Sequence, residues 1–194
     1  MNNAAVFIDG GYIHNVLKHA FREAIIDYAK FCDELCTKVD AKRLRTYYYD
    51  CMPYQSDPPT PIERKQYAGK QKFFRYLQFC PRFDVRFGKL QKVGTAPPKQ
   101  KRIDVLLSVE MVRMSWDHQI ETAILVSGDS DFVPAVKATK DAGVITVVYH
   151  SRHSPRVYTH DELLLACDER IEITQALIDS VKRRAGTQAT LSTS

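Results

Sequence analysis

Short, unbroken apolar runs alternate along this chain with longer stretches of helical periodicity. Ala4–Ile8 (AAVFI), Ala123–Val126 (AILV) and Val144–Tyr149 (VITVVY) are continuous apolar segments, as parallel strands covered on both faces should be. Arg45–Tyr49 predicts a further strand. Phe83, Val85 and Phe87 alternate with Arg82, Asp84 and Arg86, which predicts a strand nearer an edge with one wet face. Ile103, Leu106, Leu107, Met111 and Met114 fall near one face of a helix, and Phe73, Tyr76, Leu77 and Cys80 also repeat at helical spacing. After SGDSDF, a helix is expected from Phe132 to Ala142, with Pro134 in its first turn and Gly143 at its stop. Such alternation implies right-handed crossovers and an α/β fold of three layers. Its mostly parallel central sheet would have about five to six strands, with helices on both faces.

Loops and ends complete this outline. Cys51–Pro61 (CMPYQSDPPTP) and Val93–Lys101 (VGTAPPKQK) read as loops, and the polar GTQATLSTS predicts a disordered tail over 186–194. Residues 1–185 then form one domain, as a length of 194 suggests. Hydrophobic residues at 44% and charged residues at 26% exclude wholesale disorder and collagen-like repeats. The five cysteines are odd in number and include no CxxC pair, so neither a disulfide framework nor a zinc ribbon is indicated, and reduced, mostly buried thiols are expected. MNNAAVFIDGG has no basic segment leading into an apolar core, and no apolar run approaches the roughly 20 residues that span a bilayer. The expectation is a cytoplasmic protein with no membrane partner.

Charge changes the picture more than composition does. The formal net charge is +5, but residues 61–102 hold twelve Lys/Arg against Glu63 and Asp84, a local +10 that leaves −5 for the rest. That polarity points to an anionic partner, nucleic acid first. Lys89, Lys92, Lys99, Lys101 and Arg102 lead directly into Asp104, while Arg64, Lys65, Lys70, Lys72 and Arg75 either extend that path or contact another protein. Arg152 and Arg156 are minor candidates. Tyr67, Phe73, Phe74, Tyr76, Phe79, Phe83 and Phe87 interleave with the charge, as rings do where single strands stack. Their spacing puts most of them in the core and leaves roughly one or two for stacking.

The candidate chemistry lies where the strand pattern stops. Asp9 follows the first strand in VFIDGG, and Asp129 and Asp131 follow the fourth in LVSGDSDF. Asp104 opens a helix, with Glu110 six residues on. In an open parallel sheet the binding crevice forms at the carboxyl ends of the strands, where strand order reverses. The first and fourth strands are natural neighbours there, so Asp9, Asp129 and Asp131 converge and Asp104 comes within reach. Carboxylates so gathered repel one another and call for raised pKa values or a cation, and Mg²⁺ or Mn²⁺ suits oxygen ligands. Singly, each acid has a duller account: Asp131 or Ser130 as a helix cap, Asp104 on a helix dipole, Asp9 in a turn, Glu110 on a solvated face. The six histidines lack zinc spacing.

VFIDGGYIHN, the KxxD of Lys101–Asp104 followed by VLLSVEMV, LVSGDSDFVPAVKATKDAG and SPRVYTHDELLLACDERIEI together resemble the NYN family of PIN-like ribonucleases, including its bacterial LabA-like branch. The resemblance covers most of residues 4–173. It implies a PIN-like three-layer fold and Mg²⁺- or Mn²⁺-dependent endonuclease chemistry on RNA. By motif position it makes Asp9, Asp104, Asp129 and Asp131 the metal-site acids, adds Glu110 where relatives often carry Asp, and gives Ser127 a phosphate-contacting or ligand-orienting role. There is one departure. Many relatives carry Asn three residues after the first Asp, where this chain has Tyr12; Asn15, one helical turn further on, is the candidate substitute, and Tyr12 and Asn15 join Ser127 as candidates to contact phosphate or orient the ligands. Hence a second expectation stands beside the ribonuclease: an inactive RNA-binding or regulatory module on the same scaffold. A phosphohydrolase of small esters shares the acids but gives the basic arm no work, and Gly11 breaks the DxDxT nucleophile pattern. Single-stranded RNA is the expected partner, with DNA open, and the apolar faces allow a homodimer without requiring one.

Overall fold

The first apolar run forms β1 (Asn2–Asp9), which sends Ala4, Val6 and Ile8 into one core and Ala5 and Phe7 into another. A strand with no wet face must lie between two layers. Its neighbours are β2 (Ala41–Asp50) and β6 (Thr122–Val126), flanked in turn by β3 (Phe83–Phe87) and by β7 (Ile145–His150) and β8 (Glu169–Glu172). All six strands are parallel, in the order β3-β2-β1-β6-β7-β8. The chain thus builds one half outward from β1, then crosses back to lay β6 on its other side.

Helices cover both faces. One core packs residues of α1 (Gly10–His19), α2 (Tyr28–Thr37), α3 (Pro61–Phe79) and α7 (Gln175–Val181) on the sheet. The other packs α4 (Ile103–Trp116), α5 (Val133–Asp141) and α6 (Asp161–Ala166). Sequence chemistry sets the helix ends. Asp27 caps α2 through the Lys30 N–H, and Thr60 with Glu63 forms a reciprocal capping box at the start of α3. Gly143 follows α5 at φ 79°, a left-handed position that glycine takes without strain. Val105, Val109 and Trp116 stay exposed on α4, which is apolar on more than its inner face.

This computed structural model describes residues 2–91, 99–154 and 156–183, without the side chains of 89–91 and 99–101. The expected tail at 186–194, Lys92, most of the loop at 93–101 and the side chains of Lys89, Lys99 and Lys101 fall outside that description. Some boundaries differ from the sequence reading. Lys99–Lys101 is a strand, β5, antiparallel to β4 (Lys89–Gln91), rather than loop. Pro61 starts α3 instead of ending the preceding loop, because proline suits the first helical turn. A 3-10 turn at Ser130–Phe132 precedes α5. Cys32, Cys36, Cys51 and Cys167 are buried and Cys80 is half-buried.

Candidate active site

The carboxyl ends of β1 and β6 lie side by side where strand order reverses. Asp9 ends β1 and caps α1, its Oδ1 accepting the Tyr12 N–H at 3.1 Å. Its Oδ2 accepts the Ser127 hydroxyl at 3.3 Å, and the same Ser127 Oγ accepts the Asp129 N–H at 3.3 Å. Ser127 is fully buried, so it ties the two strand ends together from below. Asp129 in turn caps the 3-10 turn, its Oδ1 accepting the Asp131 N–H at 3.0 Å. Asp104 stands in the first turn of α4, after Arg102 at φ 78° turns the chain out of β5.

Asp9, Asp104 and Asp129 line one cleft of about 420 Å³, with Gly11, Tyr12, Asn15, Ile103, Gly128, Tyr158 and His160. Burial pushes the Asp9 carboxyl up to about 6, and the Tyr12 and Gly11 N–H groups and the Ser127 hydroxyl offset only part of that. Asp104 is also raised, first by partial burial and then by the charges of Asp129 and Asp131. Asp131 is exposed and outside the cleft wall, yet near enough to act on Asp104. Gly128 is required by close approach: a Cβ there would stand 2.4 Å from the Tyr158 carbonyl oxygen and 2.6 Å from Tyr12 Cε2.

The three carboxylates of the cleft offer oxygen donors and like charges, which suits a hard divalent cation, with the His160 imidazole the one nitrogen donor among the residues lining it. Among the described residues no three acids, histidines or cysteines are already drawn close enough to grip an ion. Tyr12, the departure from the relatives' Asn, is a clasp. Its hydroxyl lies 2.8 Å from Thr159 Oγ1 and accepts the Ser151 N–H at 2.9 Å, holding the segment after β7 against α1. Asn15 faces the cleft and is exposed.

Glu110 is not in the cleft wall. Its Oε2 accepts the Tyr49 hydroxyl at 2.8 Å, and its carboxylate pairs with Arg86 at 3.0 Å, joining α4 to β2 and β3. Lys70 is paired with the buried Asp50. Arg64, Lys72, Arg75 and Arg102 are exposed, with Arg64 donating to the Pro59 carbonyl and Arg75 lying over the Phe79 ring. Of the interleaved rings, Phe74 and Phe83 are buried, whereas Phe79 and Phe87 are exposed. Tyr158 and His160 escaped the sequence reading of the site. They come from the loop between β7 and α6, and the only signal was their place within SPRVYTHDEL.

The chain matches the family model of the NYN domain over residues 3–174. No match was found among curated proteins, and none among solved structures. The match begins inside β1 and runs past β8, so it takes in the whole six-stranded sheet and every acid of the cleft: this chain belongs to the NYN domain family, a family of PIN-like nucleases.

Proposed function

We propose that the protein is a metal-dependent endoribonuclease that hydrolyses phosphodiester bonds of single-stranded RNA in the cytoplasm, on the LabA-like branch of its family. The observation that carries this reading is that Asp9, Asp104 and Asp129 line one cleft, with Asp131 near enough to act on Asp104. These four acids would hold Mg²⁺ or Mn²⁺. Such an ion, when bound, supplies charge neutralisation for the phosphate and lowers the pKa of a water. The chain's own groups set the arrangement. Ser127 fixes the Asp9 carboxylate by its hydroxyl, and the Tyr12 N–H fixes the other oxygen, so both are aimed before substrate arrives. Tyr158, 64% exposed with its ring edge-on to His160 at 4.8 Å, offers a face on which an unpaired base can stack. Asn15 presents a carboxamide to the phosphate or sugar. Arg102 and the lysines that precede it in sequence, Lys89, Lys92, Lys99 and Lys101, would supply positive charge to the RNA backbone beside Asp104. Glu110 anchors α4 in this scheme.

Tyr12 favours a second reading, an RNA-binding module without hydrolysis, because its committed hydroxyl does not replace a carboxamide. Labelled single-stranded RNA, incubated with Mn²⁺ and the wild type or the double variant Asp129→Asn plus Asp131→Asn, decides between them. The nuclease reading expects cleavage by the wild type, its loss in the variant, and RNA binding retained by both. Unchanged cleavage by the purified variant would sink it, and binding without hydrolysis by the wild type would establish the second reading.

A further inference from the structure

A second and larger cleft, about 880 Å³, lies between α1, α3 and the loop after β2. It belongs to the same edge of the sheet as the acid cleft. Asp50, in its floor, ends β2 as Asp9 ends β1, and a Cβ on Gly10 would stand 2.7 Å from Asp50 Oδ2. Helix α1 contributes to both clefts: Tyr12 and Asn15 line one, His14 and Lys18 the other.

The lining combines aromatic and apolar side chains with several cations. Tyr54, Phe73 and Tyr76 contribute rings, and the exposed Lys18 of α1 and Lys65 of α3 are among the lining residues. Arg183 also lines the space, its guanidinium 4.7 Å from the Tyr76 ring centroid. The acids are Glu23 and the buried Asp50, the latter paired with Lys70 and accepting the Cys51 N–H at 2.7 Å. Gly69 is the telling residue. It sits inside the 19-residue helix α3, where glycine weakens the helix, and a Cβ there would meet nothing within 4 Å. Gly69 lines the cleft, and the space in front of it is open.

We infer that this cleft is a nucleotide subsite, holding one unstacked nucleotide of the strand whose backbone crosses the acid cleft, with the base among the rings and the phosphate at Lys18 and Lys65. The inference rests on the nuclease reading and adds to it a place where the strand must be single. A paired base cannot enter such a pocket without leaving its stack. The volume lies within the range of small-ligand sites, roughly 300–1,000 Å³.

The test is fluorescence anisotropy in EDTA, so that binding is read without hydrolysis, using a short labelled single-stranded RNA and a blunt RNA duplex. Gly69→Trp fills the open space and should weaken the single strand by about tenfold while leaving any duplex affinity unchanged. Lys65→Glu leaves the volume intact and should weaken the same strand and flatten its salt dependence, which keeps the test decisive if Gly69→Trp fails to fold. Unchanged single-strand binding in both variants overturns the subsite and leaves the nuclease reading in place. A wild type that neither binds nor cleaves RNA overturns both. Free AMP and UMP form a separate arm: if they bind the wild type but not Gly69→Trp, and strand binding is the same in both proteins, the cleft serves free nucleotides and the strand assignment is overturned.

Discussion

Asp9 carries two duties that oppose each other. As the cap of α1 it stabilises the fold, but its charge is held where burial raises its pKa to about 6. At neutral pH the folded, metal-free protein therefore bears the cost of a buried anion. Asp9→Asn keeps an oxygen for the Tyr12 N–H and removes the charge. Urea unfolding in EDTA at neutral pH should show the variant more stable by about 1–3 kcal/mol, while its RNA cleavage is lost. Reduced stability would mean that the carboxylate is structural. Asp9 was legible because a single strand run ends on it. The part played by Tyr12 was not, since its partners lie 139 and 147 residues away in sequence. Tyr158 and His160 were hidden for the same reason: loop side chains enter a site only through tertiary packing.

Elements divide in a similar way. Strands β1, β6 and β7 are covered on both faces, so their apolar runs announced them. Edge strand β8 reads Glu-Arg-Ile-Glu and gives no such signal, and β5 lies within a basic stretch. Helix α4 shows how an element can point one acid at a site and spend another on its own attachment. Asp104 and Glu110 are six residues apart, hence on different faces. Glu110→Ala would strand the buried Tyr49 hydroxyl and release Arg86, which is already 38% exposed in its side chain. Most of the cost should come from Tyr49, about 1–3 kcal/mol in unfolding experiments. The folded variant should keep its Mn²⁺ requirement and cleavage rate. A lost metal requirement or a collapse in rate at full folding would move Glu110 into the metal site.

Across the whole molecule, a segment of +10 is set against an acidic remainder, and the two meet at Lys101–Asp104. The sequence made that polarity plain. It did not separate charges that face a strand from those spent on structure, such as Lys70 on Asp50 or Arg86 on Glu110. Replacing Lys99, Lys101 and Arg102 with Gln should weaken RNA binding across sequences. If all three contact phosphates, the slope of log K against log salt should drop by about 2, at roughly 0.7 per single-strand contact. An unchanged slope would take the hairpin off the substrate path.

Hydrolysis of RNA in the acid cleft by a divalent ion and water leaves a chemical signature. The most direct measurement is cleavage of end-labelled single-stranded RNA by the purified protein in EDTA, after addition of Mn²⁺, and with Asp9→Asn, with the new ends analysed. The expected result is no cleavage in EDTA, restoration by Mn²⁺, no cleavage by the variant, and ends free of 2′,3′-cyclic phosphate, because water rather than the 2′-hydroxyl attacks. Cleavage that persists in EDTA, or cyclic phosphate ends that form with Asp9→Asn as readily as with the wild type, would contradict it.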